Sequence, residues 1–295
     1  MTSSISLRIS SLAVVALCFA CDTGDPDTMA GETGDAEETG EGETDTGEPE
    51  NPDADGDGLT DEEEAELGTD PNKADTDDDT YWDSWELAEG TDPLDPNSRI
   101  YQGYWPYYPD KDELEQGDWS TASKSLGSQF PRDSFLDQYG EEVEIYDFAN
   151  YTNNSTGNPA FMIVDIAAQW CGPCHGMADW IAGVPGGNAD ALNDAYPTVP
   201  EKVHDRRAWW ITFIVQDING GAPTLADAET WYAQHPDDNI PIFVDDEQLV
   251  MQRYGSSVFP FFFLLEPTLA VEFWANADAN EDPFYSLFLV DQYLE

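Results

Sequence analysis

Acidic residues are concentrated in one part of this chain, and that concentration limits what the part can fold into. Positions 22–98 contain 30 Asp and Glu residues against one basic residue, Lys73, which is a net charge of −29 out of −52 for the whole chain. Such a segment repels itself and buries too little apolar surface to fold unless cations neutralise it. From Ile100 onward, aromatic and aliphatic residues are dense enough to form a core. We therefore expect a folded domain after an acidic segment that depends on bound cations.

The same charge excludes one class of partner. Binding to nucleic acid requires Lys and Arg to neutralise phosphates, and the chain has 10 basic residues against 62 acidic ones. We expect no nucleic acid partner, and we expect divalent cations instead.

The first 20 residues have the pattern of a secretory signal peptide. Arg8 precedes an apolar stretch at residues 12–19, and Ala20 comes directly before Cys21. The stretch is shorter than the roughly 18 residues that a transmembrane helix needs. The run Leu17-Cys-Phe-Ala-Cys21 resembles a bacterial lipoprotein signal, which implies a lipid on Cys21; cleavage by the ordinary signal peptidase is the alternative. The expected location is extracytoplasmic, with a lipid anchor in a bacterial membrane, facing the periplasm or the cell surface.

A low-complexity segment, residues 21–51, follows the signal peptide. It consists mainly of Thr, Gly, Glu, Asp and Pro, with near-repeats such as Glu38-Thr-Gly-Glu41 and Asp45-Thr-Gly-Glu48. This composition predicts a disordered acidic linker that repels itself and holds the folded part away from a membrane.

Two acidic loops share one spacing of residues that offer oxygen ligands. Side-chain oxygens stand at loop positions 1, 3, 5, 9 and 12 and a backbone carbonyl at position 7, which is the spacing of calcium loops. The candidate calcium ligands are Asp53, Asp55, Asp57, Leu59, Asp61 and Glu64 in the first loop and Asp75, Asp77, Asp79, Tyr81, Asp83 and Glu86 in the second. Position 6, where a sharp turn favours glycine, is Gly58 in the first loop and Thr80 in the second. We expect Thr80 to weaken the second loop.

The surroundings of these loops point to a repeat family. The residues before Asp53 include two prolines and cannot form the entering helix of a full EF-hand. Together with Gly68-Thr-Asp-Pro-Asn72 and Gly90-Thr-Asp-Pro-Leu94, the loops resemble bacterial thrombospondin type 3 (TSP3) repeats. The resemblance implies a small calcium-organised segment, placed at residues 52–98, with a connector at residues 99–122. A dockerin-like pair of loops is the alternative.

A pair of cysteines follows a predicted buried strand. Residues 160–167 form a continuous apolar run with one acid, Asp165, which is typical of a central strand in a parallel sheet. A helix is predicted to begin at Cys171, where free N–H groups and the helix dipole stabilise a thiolate. Cys174 lies one turn further on and can attack a mixed disulfide held on Cys171. We predict that Cys171 is the nucleophile and Cys174 the resolving thiol.

The run from Asp165 to Cys174, Asp-Ile-Ala-Ala-Gln-Trp-Cys-Gly-Pro-Cys, resembles the thioredoxin superfamily, and Tyr254-Gly-Ser-Ser-Val-Phe-Pro260 resembles its cis-proline loop. Upstream, residues 127–131 and 136–148 resemble the N-terminal extension of TlpA/ResA-type reductases and peroxiredoxins, so the resemblance covers residues 123–295. It implies an α/β thioredoxin-like fold, with a central mixed sheet flanked by helices, and a redox site without a cofactor. It also implies that Asp165 helps to move the proton of Cys174 and that Pro260 packs beside the dithiol. The implied partners are protein dithiol or disulfide substrates and a redox partner.

The rest of the chain has the order of elements that this fold requires. Strands are predicted at residues 209–215 and 240–244, with a helix at residues 225–234 between them. An antiparallel pair of strands is predicted at residues 261–265 and 269–274, and a helix at residues 283–293.

Other interpretations of the cysteine motif are less favoured. With His175 it also satisfies the C-x-x-C-H pattern of haem attachment, which requires neither the buried strand before it nor the proline loop. A peroxiredoxin needs Pro and Thr where this chain has Val164 and Ala168. His204 and His235 have no partners at metal-ligand spacing and are expected at the surface.

These observations predict an extracytoplasmic thiol-disulfide oxidoreductase, a reductase of protein disulfides, on a calcium-binding, lipid-anchored stalk. The alternative is a non-enzymatic, calcium-dependent cell-surface binding protein with a vestigial dithiol. The motif alone does not fix the direction of electron flow, because the reduction potential depends on how far the thiolate is stabilised.

Overall fold

The structure, a computed structural model, describes residues 52–152, 156–186, 189–255, 258–274 and 284–293. The predicted signal peptide, Cys21 and the acidic linker lie outside these residues. Within the described ranges, no helix has the length and apolar character needed to cross a membrane.

A short helix follows each of the two acidic loops. Helix α1 spans Asp61–Leu67 and helix α2 spans Asp83–Glu89. Gly68 and Gly90 end these helices with φ angles of 91° and 85°, a left-handed conformation that glycine adopts without steric cost. Helices of 7 residues are not stable alone. Their order must come from the loops and from neighbouring parts of the chain.

Among the residues that the structure describes, seven strands form a small hairpin and a central sheet. In chain order they are β1 (Ser134–Leu136), β2 (Glu142–Glu144), β3 (Phe161–Ala168), β4 (Ala208–Gln216), β5 (Ile242–Val244), β6 (Phe261–Leu265) and β7 (Val271–Trp274). The first two pair antiparallel, and the other five form a sheet in the order β5-β4-β3-β6-β7. Strands β3, β4 and β5 are parallel, whereas β6 and β7 run antiparallel to their neighbours. This mixed sheet confirms the predicted thioredoxin-like fold class.

In the described part of the chain, six further α-helices lie between the strands or after the last of them. They are α3 (Gly172–Ile181), α4 (Ala189–Ala195), α5 (Val199–His204), α6 (Leu225–Gln234), α7 (Leu249–Tyr254) and α8 (Tyr285–Tyr293). Helix α6 has its predicted bounds, and α8 begins two residues after the predicted start. The sequence did not predict α4, α5 and α7, because helices of 6 or 7 residues are too short to show a helical period in the sequence.

Alternate residues of β3 face two different cores, as the pleat of a strand requires. Val164 and Ile166 lie in a core shared with the β1–β2 hairpin and α7. Ile163 and Ala167 lie in the other core, which α3, α5, α6 and α8 complete. Both cysteines of the redox motif belong to the second core, so the candidate site lies on the α3 face of the sheet.

The connector, residues 99–122, contributes to the first core. Trp105 is 1% exposed, and its Nε1 donates a hydrogen bond to Asp137 Oδ2 at 2.8 Å. Tyr81, from the second acidic loop, donates its hydroxyl proton to the carbonyl oxygen of Trp105 at 2.7 Å. The second loop is therefore attached to the core of the domain through its own aromatic side chain.

Candidate redox site and calcium loops

Cys171 and Cys174 form a disulfide at the N-terminus of α3, with an S–S distance of 2.06 Å. Cys171 is the N-cap residue, and its Sγ accepts a hydrogen bond from the backbone N–H of Cys174 at 3.1 Å. Cys171 is 2% exposed and Cys174 is 0% exposed, so only Cys171 has any accessible surface. A thiolate at Cys171 would be stabilised by this N–H group and by the helix dipole. The geometry fits the predicted nucleophile and resolving thiol.

A buried carboxyl group lies on the strand that leads to this turn. Asp165 is 0% exposed and stands between Ile163 and Ala167, on the strand face that packs against the cysteines. Its Oδ2 accepts a hydrogen bond from the Thr212 hydroxyl at 3.3 Å, and its Oδ1 has no hydrogen-bond partner among the described residues. Burial raises the pKa of Asp165 to about 7, against hydrogen bonds from Thr212 and Trp210 that lower it. Asp165 can therefore gain or lose a proton near neutral pH.

A cis peptide bond joins Phe259 and Pro260 directly before β6. Pro260 is buried, and the ring of Phe259 meets the ring of Trp170 edge to face, with centroids 5.4 Å apart. Trp170 directly precedes Cys171 in the sequence. The structure thus brings the proline loop beside the redox turn, where the resemblance placed it.

Large apolar side chains next to the redox turn are exposed. Trp170 is 47% exposed and Val258 is 38% exposed. The indole of Trp170 is held in place, because its Nε1 donates a hydrogen bond to Gln216 Oε1 at 2.9 Å. A fixed, exposed apolar surface beside a redox disulfide is suited to contact with an apolar segment of another protein.

His175, the residue after Cys174, contacts two other elements. Its Nε2 lies 2.9 Å from the carbonyl oxygen of Gln169, and its Nδ1 lies 2.7 Å from Nε2 of His235. Its ring stacks on Trp231 of α6, with centroids 4.4 Å apart. His235 is 7% exposed, so its expected surface position is wrong. The end of α6 packs against α3, and this contact buries the imidazole.

The carboxylates of the first acidic loop converge. Asp53, Asp55 and Asp57 each offer an oxygen, and these oxygens lie within 4.8 Å of one another. Glu64 is 0% exposed, and neither of its carboxylate oxygens has a hydrogen-bond partner in the described part of the chain. Burial, followed by the nearby carboxylates, raises the pKa of Glu64 to about 7. Convergent oxygens and an unpaired buried carboxylate fit a calcium ion, which takes oxygen ligands only.

The other predicted ligands of this loop also help to shape it. Asp61 Oδ1 accepts a hydrogen bond from the backbone N–H of Ala54 at 3.1 Å. This contact closes the loop, and position 9 of such loops often reaches calcium through water. The backbone N–H of Leu59 donates to Asp57 Oδ1 at 2.7 Å, which fixes the peptide at position 7.

The second loop repeats this arrangement. Its three convergent carboxylates, again within 4.8 Å, belong to Asp75, Asp77 and Asp79. Glu86 is 0% exposed, and its Oε2 has no partner among the residues described. Asp83 accepts a hydrogen bond from the backbone N–H of Thr76 at 2.8 Å, as Asp61 does from Ala54. The two loops therefore offer equivalent sets of oxygens.

Thr80 occupies the strained position that the sequence predicted. Its φ angle is 91°, and that of Gly58 in the first loop is 102°. A β-branched residue in this region costs about 1–3 kcal/mol. A Cβ atom on Gly58 would meet only Ser84 Oγ, at 3.9 Å, so the strain at this loop position arises from the backbone.

We expect Thr80→Gly to stabilise the calcium-loaded protein by about 1 kcal/mol, because relief of the strain outweighs the added flexibility of glycine. Gly58→Thr should destabilise it by a similar amount. Calorimetric melting in excess calcium measures both effects. Two variants that melt at the wild-type temperature would show that neither position is strained.

Comparison with known families identifies the acidic loops. Residues 53–74 and 75–96 each match the family described as the bacterial TSP3 repeat. This match confirms the predicted repeats. The comparison with curated proteins gave no match.

The solved structures that are similar to this chain include proteins described as redox proteins. One is described as a thiol:disulfide interchange protein, DsbE, from Chlorobium tepidum. It is 17% identical to this chain, the match covers 57% of this chain and 97% of that chain, and the TM-score is 0.35. Another is the thioredoxin domain of a thiol-disulfide oxidoreductase from Bacteroides vulgatus, with 15% identity, 58% and 99% coverage, and a TM-score of 0.37. Both TM-scores lie below 0.5, and the fold follows from the strand order of this chain itself. Residues 53–96 thus match two bacterial TSP3 repeats, and the domain that follows them has a thioredoxin-like fold.

Proposed function

We propose that this protein is an extracytoplasmic thiol-disulfide oxidoreductase that reduces disulfides of other proteins. The observation that supports this most is the Cys171–Cys174 disulfide at the start of α3, on the sheet face that also holds buried Asp165. The exposed Trp170 beside it offers apolar surface to a protein substrate. The reaction needs no cofactor at the redox site, only a partner dithiol that returns the pair to its reduced form.

The proposed reaction has two displacement steps. In the reduced protein, the Cys171 thiolate attacks a substrate disulfide, and the first substrate sulfur leaves as a thiolate and takes up a proton. Cys174 then loses its proton and attacks the Cys171 sulfur of the mixed disulfide, which releases the second substrate sulfur. Two electrons have passed to the substrate, and the protein holds the Cys171–Cys174 disulfide.

Asp165 is the proposed acceptor of the Cys174 proton. Its carboxyl group is buried on the α3 face and has one oxygen without a partner among the described residues. With a pKa of about 7, it is ionised and able to accept a proton above neutral pH. In the reverse reaction, the protonated form can return the proton to Cys174.

The substitution Asp165→Asn is expected to stabilise the fold above about pH 4, with a gain that grows up to about pH 7 and then stays constant. The folded-state pKa of about 7 lies above the ordinary value of about 3.9, so the favourable contribution is complete below about pH 4 and disappears as the pH rises through 7. The asparagine amide is neutral at every pH, so the variant has no buried charge to destabilise the fold. Urea unfolding should show a gain of a few kcal/mol at about pH 9 and almost none near pH 4.

The same variant should slow turnover about tenfold or more, because Cys174 loses its proton acceptor. Turnover equal to wild type would remove Asp165 from the mechanism. A stability gain of the same size at both pH values would show that burial does not raise the pKa of Asp165.

We also propose that both TSP3 loops bind calcium and that a lipid on Cys21 attaches the chain to a bacterial membrane. The convergent carboxylates support the first proposal, and the sequence around Cys21 supports the second. The proposed organisation is a signal peptide at residues 1–20, an acidic linker at 21–51, repeats at 52–98, a connector at 99–122 and the redox domain at 123–295.

The function is tested with a model protein disulfide, a dithiol electron donor and the mature protein. Turnover supports the proposal, and a protein inert with both disulfide and dithiol substrates would favour the non-enzymatic binding protein. The direction is tested by redox titration against glutathione. A potential near about −270 mV would support a reductase, and one near about −120 mV would overturn it in favour of an oxidant.

A further inference from the structure

A chain of three polar contacts leads away from the redox turn. The carbonyl oxygen of Gln169 lies 2.9 Å from His175 Nε2, and His175 Nδ1 lies 2.7 Å from His235 Nε2. His235 Nδ1 in turn lies 2.7 Å from Asp179 Oδ1. His175 and Asp179 are one turn apart on α3, and His235 is the C-cap of α6. The mechanism proposed above uses none of these three side chains.

The number of protons in this network follows from its geometry. The Gln169 carbonyl can only accept, so His175 Nε2 must carry a proton. If His175 is neutral, its Nδ1 accepts, and His235 Nε2 must donate to it. The contact between His235 Nδ1 and the Asp179 carboxylate then needs a further proton. When all three contacts are hydrogen bonds, the network therefore carries one proton more than two neutral imidazoles and one carboxylate carry.

The network is stable with that one additional proton and not with more or fewer. Without it, two acceptors face each other across one of the contacts. With a second additional proton, an N–H group of His175 and an N–H group of His235 face each other at 2.7 Å. Burial lowers the pKa of His235, and so does the charge of His175, whereas the Asp179 carboxylate raises it. His235 lines a small cavity, and among the described residues Asp237 is the other ionisable residue that lines it; Asp237 pairs with His204 at 2.8 Å.

His175 connects the network to the dithiol. Its ring contacts the carbonyl of Gln169, two residues before Cys171, and its backbone N–H donates to the carbonyl oxygen of Cys171 at 3.2 Å. A positive charge shared by the two imidazoles therefore lies at the first turn of α3, where the thiolate of the reduced protein forms. Opposite charges stabilise each other, so the proton favours the thiolate and the thiolate favours the proton.

We propose that His175, His235 and Asp179 hold one proton beside the dithiol and that this proton makes the disulfide easier to reduce at acid pH. The proposal rests on the redox function proposed above and adds a means of regulating it. His235 and Asp179 are positioning residues, because they act through His175. When a partner dithiol reduces the disulfide, it passes on two electrons and becomes a disulfide itself. One of its two protons goes to Cys174, and the other is released while Cys171 stays a thiolate.

The variant His235→Gln tests whether an additional proton in the network affects the reduction of the disulfide. A glutamine amide can still donate to His175 Nδ1, but it cannot bind an additional proton. Redox titration against glutathione at about pH 5 should show a disulfide about tenfold harder to reduce than in wild type, a shift of about 30 mV. At about pH 8, where both proteins lack the proton, the two potentials should agree.

His204→Gln is the matched control. His204 also pairs with a carboxylate, that of Asp237, and its side chain is 37% exposed, as expected from the sequence. This variant should titrate like wild type at both pH values. A His235→Gln potential that equals wild type at acid pH, or that shifts equally at both pH values, would overturn the proposal.

A second measurement does not depend on turnover. In the oxidised protein, ¹⁵N spectra of the imidazoles should show His175 and His235 taking up one proton together, and Asp179→Asn should move that uptake to lower pH. Separate titration of the two imidazoles would overturn the network and leave the redox function standing. Joint uptake in a protein inert on every disulfide would overturn the redox function instead.

Discussion

Cys171→Ser is expected to reduce turnover on protein disulfides to the uncatalysed background, a loss of more than about a thousandfold. A serine hydroxyl is not ionised at neutral pH and cannot form the mixed disulfide. The fold should survive the change, because serine is a preferred N-cap residue and its Oγ can accept the Cys174 N–H as the sulfur does. Turnover with a model protein disulfide measures the loss, and the melting temperature shows whether the fold is retained.

Cys174→Ser is the matched control for the order of the two steps. This variant keeps the Cys171 nucleophile and lacks the thiol that resolves the mixed disulfide. We expect it to accumulate a covalent adduct with the substrate, which mass spectrometry detects, whereas Cys171→Ser should form none. The opposite pattern would exchange the roles of the two cysteines. Turnover retained by a folded Cys171→Ser protein would contradict the proposed function.

The sequence predicted the central part of the fold because its signals there are local. Strand β3 is a continuous apolar run, and every residue from 162 to 168 is buried, as expected for a strand covered on both faces. The cysteine motif marks the junction with α3. For Asp165 and Pro260, the structure gives the predicted placement: one on the α3 face of the sheet, the other in the loop beside the redox turn.

The contacts that the sequence did not predict join residues far apart in the chain. His175 and His235 are 60 positions apart, and nothing near either residue indicates that α6 and α3 bring them together. Tyr81 and Trp105 are 24 positions apart. Here the sequence offers one signal, the density of aromatic residues at positions 101–108, which is unusual for a connector and agrees with its burial in the core.

Removal of calcium is expected to unfold the TSP3 repeats and to destabilise the domain attached to them. Glu64 and Glu86 are both fully buried, and a buried carboxylate without a cation must be protonated or move into water. At a free calcium concentration one hundred times Kd, each site contributes about 2.7 kcal/mol. Excess chelator should therefore lower the melting temperature by about 10 °C or more.

The unfolding should be visible in tryptophan fluorescence. The Trp85 ring packs against the Tyr107 ring, with centroids 5.6 Å apart, and Tyr81 holds the backbone of Trp105. Loss of these contacts exposes indoles to water. The cysteines belong to the other core, so disulfide turnover at low temperature should change much less than the melting temperature does.

A pair of variants on one helix assigns the effect to the calcium loops. Glu64→Gln removes the charge at position 12 and should weaken calcium binding in calorimetric titration about tenfold or more. Glu62→Gln removes the same charge from an exposed position of α1 and should bind calcium as wild type does. Equal weakening in both variants would mean that net charge, and not coordination by the loop, attracts the ion. A melting temperature and fluorescence unaffected by chelator would mean that calcium does not order the repeats.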